Sequence, residues 1–215
     1  MRPVVFVGPS CPLALARAEL DADFRPPARR GDVIAACEGG ARVIVLVDGY
    51  MIYDYPPSPS EVATAAASGA VVLGAASLGA LRAVELRHRG VTGIGWVYQR
   101  YLDGTVDADD EVLVRMDPRT GVPASLPLVN LRYGLACLAE EGVVDERDAA
   151  TVVSRLRRVH YEERTPQRVA GMCDEQGLDR QVGRRLVEER YDVKRKDTLA
   201  ALRRAREMVG AGAST

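Results

Sequence analysis

Residues 70–86 read AVVLGAASLGALRAVEL, and the reading of this stretch decides the fold. Residues 70–73 are an unbroken apolar run, the pattern of a strand buried on both faces. From Leu78 the pattern turns helical, which leaves Ser77 at the junction with Ala75 and Gly79 two residues to either side. Small neighbours suit such an elbow, because strand and helix backbones pass too closely there for larger side chains. The geometry lifts the hydroxyl out of the fold and points backbone N–H groups at whatever binds it. Three roles remain open for Ser77: a nucleophile beside half an oxyanion hole, a hydroxyl in an anion cradle, or a plain tight turn.

Working outward, residues 4–7 and 43–47 are two further apolar runs, each followed by a Gly-containing turn, Gly8-Pro9-Ser10 and Asp48-Gly49-Tyr50. A helix is predicted over residues 13–20. The basic loop Arg25-Pro26-Pro27-Ala28-Arg29-Arg30-Gly31 comes next, its two prolines forbidding helix. Asp32 is expected to cap a short helix over 33–38. In Ser58-Pro59-Ser60-Glu61 the serine is expected as a cap, with Glu61 closing a capping box. Strands alternating with helices predict an α/β fold, a parallel Rossmann-like sheet with helices on both faces. Its turns at 8–10, 48–50 and 75–79 would gather at the carboxyl ends of the strands, where such folds bind ligands.

The second half reads differently. A strand is predicted over 111–116, and from Leu126 the pattern is helical. Leu128, Leu131, Leu135 and Leu138 step by three and four, and Asp145 and Thr165-Pro166 open later helices. The expected organisation is an α/β core over residues 1–122 and a mostly α-helical region over 123–215.

The chain has 215 residues, 47% of them hydrophobic but only 5% aromatic, so Ala, Val and Leu must build the core. A formal net charge of −1 gives no global reason for a nucleic-acid partner. Locally, residues 180–206 hold ten Arg and Lys against four acids, while 103–117 hold six acids against one Arg. Such runs are solvated faces or docking surfaces. Cys11, Cys37, Cys137 and Cys173 lie far apart with no CxxC pair, the usage of a reducing compartment. No apolar run approaches the roughly 20 residues of a membrane span. The expected location is the cytoplasm, with no membrane partner.

Each candidate group has a structural reading beside its chemical one. A hydrolytic serine needs a base within hydrogen-bond reach. His88 lies eleven residues along the elbow's own helix, roughly 16 Å away, and His160 is in the helical half. A base would therefore be a carboxylate such as Asp48 or Glu61, or the substrate itself, and Glu61 has its capping box as an alternative. Arg82 either pairs with Glu85 three residues on or faces an anion over the helix N-terminus. Gly74–Gly79 fits a dinucleotide turn only loosely, since no acidic residue ends a strand about 20 residues later. Asp107, Asp109, Asp110 and Glu111 are an exposed patch or ligands for a hard cation. Cys11 has nothing nearby to lower its pKa. No cofactor and no metal is expected.

These pieces, in this order, resemble the TfuA-like proteins. The resemblance is carried by Val5-Phe6-Val7-Gly8-Pro9-Ser10, Arg25-Pro26-Pro27-Ala28 with Arg30-Gly31-Asp32, Asp48-Gly49-Tyr50 and Ser77-Leu78-Gly79-Ala80-Leu81-Arg82-Ala83-Val84-Glu85-Leu86. Asp109-Asp110-Glu111-Val112 and Leu128-Val129-Asn130-Leu131-Arg132 continue it, so it covers roughly residues 3–140. The family's histidine before the helix glutamate is replaced here by Pro57-Ser58-Pro59-Ser60, and Leu78 stands where the family usually has Met. The resemblance implies a partner of YcaO-type cyclodehydratases, which activate a peptide amide with ATP, and a role in backbone thioamide formation in a peptide natural product or a protein. The implied task is to supply sulfur, either by hydrolysing the C-terminal thiocarboxylate of a ubiquitin-like carrier or by bringing that carrier to the YcaO enzyme. On this reading Ser77, Asp48, Arg82 and Glu61 are the catalytic set. Gly8, Pro9, Ser10, Arg25, Arg30, Leu78, Gly79, Asp109, Asp110 and Arg132 are expected to bind substrate.

Overall fold

In the computed structural model, which describes residues 2–52 and 54–212, the chain runs β1 (Val4–Phe6), α1 (Leu13–Glu19), β2 (Asp23–Arg25), α2 (Asp32–Glu38), β3 (Val43–Leu46), α3 (Pro59–Ala67), β4 (Val71–Ala75), α4 (Leu78–Glu85), β5 (Val91–Ile94) and α5 (Trp96–Leu102). It continues through α6 (Leu128–Glu140), α7 (Glu146–Leu156), α8 (Pro166–Glu175), α9 (Arg180–Arg185) and α10 (Val193–Gly212). Contacts divide it into two units. One holds the residues through Asp107 together with the C-terminal helix from Lys194, and the other is Ala108–Val193. This grouping departs from chain order, because α10 clusters with the α/β elements.

The first unit is a doubly wound, Rossmann-like α/β sheet. Among the described residues its strands are all parallel, in the order β2-β1-β3-β4-β5. Their side chains alternate between two apolar layers. Val4, Phe6, Ile44, Leu46 and Val72 join Val33 and Ala36 of α2, Val62 and Ala65 of α3 and Ala83 of α4. Val5, Val7, Val45, Val47 and Leu73 join Ala16 of α1 and Ala201, Leu202 and Ala205 of α10. Helices on both faces are why the strands are apolar without alternation. The winding reverses between β1 and β3, which places a topological switch point at their carboxyl ends.

Beyond the three strands read from the sequence, β2 and β5 form the sheet's edges. Each escapes a search for apolar runs: β2 reads Asp-Phe-Arg, and β5 is interrupted by Thr92 and Gly93. Asp32 is not a cap. Gly31, at φ +94°, occupies that position, and Asp32 opens the first turn of α2 while its carboxylate accepts from the Arg29 amide at 2.7 Å.

In the second unit Leu128, Leu131, Leu135 and Leu138 of α6 pack against Val152 and Leu156 of α7, Val169 of α8 and Val182 of α9. Each fully buried leucine contributes about 1.5–3 kcal/mol. Asp145, Thr165 and Asp179 cap their helices through side-chain oxygens. The strand predicted over 111–116 is absent. Asp109–Glu111 is a 3₁₀ turn, and only Met116 and Pro123 form an isolated antiparallel bridge. The apolar residues there have no ladder to join, and the segment is held instead by its acids.

Candidate functional site

The elbow is a γ-turn. The Ser77 amide donates to the Ala75 carbonyl at 2.7 Å, and Ala76 between them is at φ +62°, alone among the described non-glycine residues in having a positive φ. This form of γ-turn is rare and strained, at a cost of about 1–3 kcal/mol. Close packing explains the small residues around it. A Cβ on Gly74 would lie 2.1 Å from the Gly79 carbonyl oxygen, and one on Gly79 would lie 1.7 Å from that of Leu46. The strain falls one residue before the serine. Ser77 itself is at φ −132° and ψ −128°, flanking the first residue of α4, and its hydroxyl makes no capping bond. The Gly79 amide, one of two expected to face an oxyanion, donates to the Val47 carbonyl at 3.1 Å. Leu78 supplies the first helical amide.

Around the elbow the turns at the switch point are knitted together. Asp48, 2% exposed, accepts from the Gly8 amide at 2.8 Å and the Ser10 amide at 3.1 Å through Oδ2, and from the Ser10 hydroxyl at 2.6 Å through Oδ1. Pro9 lies between these donors. The basic loop closes over this knot. The Ala28 amide donates to the Asp48 carbonyl at 2.9 Å and the Tyr50 amide to the Ala28 carbonyl at 3.0 Å. A Cβ on Gly8 would come within 2.5 Å of Pro27, and one on Gly49 within 2.1 Å of Leu78. The loop's arginines stay outside. Arg25 pairs with Asp23 at 2.8 Å. Arg29 lies 4.7 Å from the Tyr50 ring centroid and pairs with Asp54. Arg30 lies 4.8 Å from the Tyr55 ring centroid.

Glu61 departs from its expected bonding. Its amide donates to Ser58 Oγ at 3.2 Å, so half of a capping box forms. The carboxylate does not turn back on its own helix. Oε1 accepts from the Gly31 amide at 2.9 Å and the Val33 amide at 3.1 Å, capping α2 instead. Oε2 is buried and has no hydrogen-bond partner. Arg82 makes the pair with Glu85 that its structural reading expects, Nη1 donating at 2.8 Å, and its Nε donates to the Pro57 carbonyl, also at 2.8 Å. It thereby ties α4 to the entry of α3.

Asp109, Asp110 and Arg132 belong to the second unit, and Asp110 and Arg132 have side-chain partners within it. Asp110 accepts from Arg164, a fully buried guanidinium that also donates to the Val159 carbonyl at 3.0 Å. Arg132 forms a bidentate pair with the buried Glu111 at 2.6 and 2.8 Å. Among the described residues no group of three or more His, Cys, Asp and Glu is placed to hold a metal ion. Nor is any of their helices long and apolar enough to cross a membrane. The Cys173 thiol is pushed up to about 11, chiefly by burial, and is not a reactive thiolate.

Two anchoring residues carry no local sequence signal. Arg164 is one. Asp197 of α10 is the other: it accepts from the Trp96 and Val97 amides at 2.8 and 2.7 Å and so caps α5. Burial raises its carboxyl to about 6, against the pull of those two amides and of Lys196. A helix-capping acid 101 residues from its amide is invisible to any local pattern.

Compared with known proteins, residues 48–165 match the model of a family described as TfuA-like protein. No curated protein matches the chain.

Proposed function

Because the chain belongs to the TfuA-like family, we propose that it is a cytoplasmic sulfur-delivery accessory protein for YcaO-dependent backbone thioamide formation, and that it hydrolyses the C-terminal thiocarboxylate of a ubiquitin-like carrier to release sulfide. The observation that carries this reading is the family match, whose span from Asp48 to Thr165 includes the elbow. The α/β unit supports it with a switch point, an anion-favouring helix start at Leu78 and arginines on the adjoining loop. The carrier's extended tail runs along the loop holding Arg25, Arg29 and Arg30. Its terminal carbon sits beside Ser77, and the developing negative oxygen faces the Leu78 amide. Asp48 has all its bonding committed to the turn 8–10, so its role is to hold that turn in place.

The test is direct: incubate the purified protein with thiocarboxylated carrier and measure sulfide. Release well above the uncatalysed rate is expected. A second reading is a non-catalytic adaptor that docks the carrier onto the YcaO enzyme. It is favoured by the commitment of the Gly79 amide and of Arg82 to internal bonds. Under that reading the protein alone liberates no sulfide and alters only YcaO turnover.

A further inference from the structure

Three ionisable side chains are buried among the residues assigned to catalysis, and their bonding separates them. Asp48 has both oxygens engaged by three donors. Arg82, 8% exposed, is held by the Pro57 carbonyl and Glu85. Glu61, also 8% exposed, is anchored through Oε1 alone, while Oε2 is enclosed and accepts nothing from the protein. An enclosed acceptor left unfilled is rare in folded proteins and calls for a donor. The fold also fixes the sheet edge on which Glu61 stands. In a parallel sheet each following helix starts at the carboxyl end of its strand, so the N-termini of α2, α3 and α4 share one edge and one face. Glu61 stands in the first turn of α3, is bonded to the start of α2, and is tied to α4 through the Arg82–Pro57 link.

Building on the proposed hydrolysis, we propose that Glu61 is its general base, with Oε2 receiving a proton from the water that attacks the thiocarboxyl carbon. The water oxygen bonds to that carbon as its proton passes to Oε2. The C–S bond then breaks, and Glu61 returns the proton to the departing sulfur. The water's second proton stays on the new carboxyl group and is lost on ionisation, so the products are the carrier carboxylate, hydrosulfide and one proton, and no oxidant or reductant is needed. A carboxylate clamped by one oxygen and unfilled at the other is pre-oriented for this transfer.

The experiment measures single-turnover sulfide release, carrier affinity and thermal unfolding for the wild type and for Glu61→Gln. The amide oxygen of glutamine can still accept from Gly31 and Val33, so cooperative unfolding and a Kd within about threefold of wild type are expected. Release is expected to fall about 10²–10⁴-fold. Release within about tenfold of wild type in the folded Glu61→Gln variant overturns the base assignment and leaves the hydrolase reading standing. A wild type that releases no sulfide overturns both. Where Glu61→Gln does not fold, mass spectrometry of the wild type mixed with carrier decides. Direct attack by water predicts no acyl adduct on Ser77, and such an adduct overturns the proposal.

Discussion

The switch-point edge of the α/β unit and the helical unit both bury charged side chains, but they satisfy them differently. In the helical unit each buried charge meets an opposite charge: Glu111 takes a bidentate arginine, and Arg164 takes Asp110 together with backbone carbonyls. Such closed pairs hold a loop to a helix core, and nothing is left for a ligand. At the switch point the buried carboxylates are met by backbone amides instead. Asp48 takes two amides and a hydroxyl, and Glu61 takes two amides on one oxygen and nothing on the other. A strained γ-turn lies on the same edge. Buried charge alone therefore does not mark a site. Here the spare bonding capacity of one buried carboxylate oxygen lies on the sheet edge that also carries the elbow.

This contrast can be broken most forcefully in the helical unit. Arg164→Ala leaves the Val159 carbonyl and Asp110 without their buried partner, and a loss of about 3–5 kcal/mol is expected in denaturant unfolding. Per unit of enzyme still folded, sulfide release should be unchanged. Next comes Asp197, whose folded value near 6 lies above the ordinary 3.8. Between those values the native chain keeps a proton that the unfolded chain has released. Its contribution is therefore most favourable below about pH 4 and declines as pH rises to about 6, by roughly 3 kcal/mol in all. Asp197→Asn should flatten that slope when unfolding is followed from pH 4.5 to 7.

At the switch point Asp48→Asn keeps the shape but loses the charge that three donors converge on. A cost of about 1.5–3 kcal/mol is expected by thermal melting, along with weaker sulfide release as the turn 8–10 loosens. The smallest pair sharpens the comparison. Ser58→Ala and Asp145→Ala each remove a helix cap, and each should cost about 1 kcal/mol. Only Ser58→Ala, which loosens the first turn carrying Glu61, should also slow sulfide release.

Much of this was legible along the chain. Unbroken valine runs announced strands covered on both sides, small residues about Ser77 announced an elbow, and leucines spaced by three and four announced α6. Those signals are local, because backbone geometry and side-chain periodicity act over a few residues. The same locality misled at Asp32, where a glycine able to take positive φ held the cap position, and at 111–116, where apolar residues found no neighbouring strand.

By itself the sequence determined the layered α/β plan, the elbow and the helical character of the second half, since propensity and apolar spacing suffice for these. Tertiary structure alone decided what each buried carboxylate does. Glu61 reaches amides 28 and 30 residues away, Asp48 donors 38 and 40 away, and Asp197 amides 100 and 101 away. A carboxylate's partners are whichever donors the fold brings to it, and desolvation then makes each filled or unfilled oxygen count.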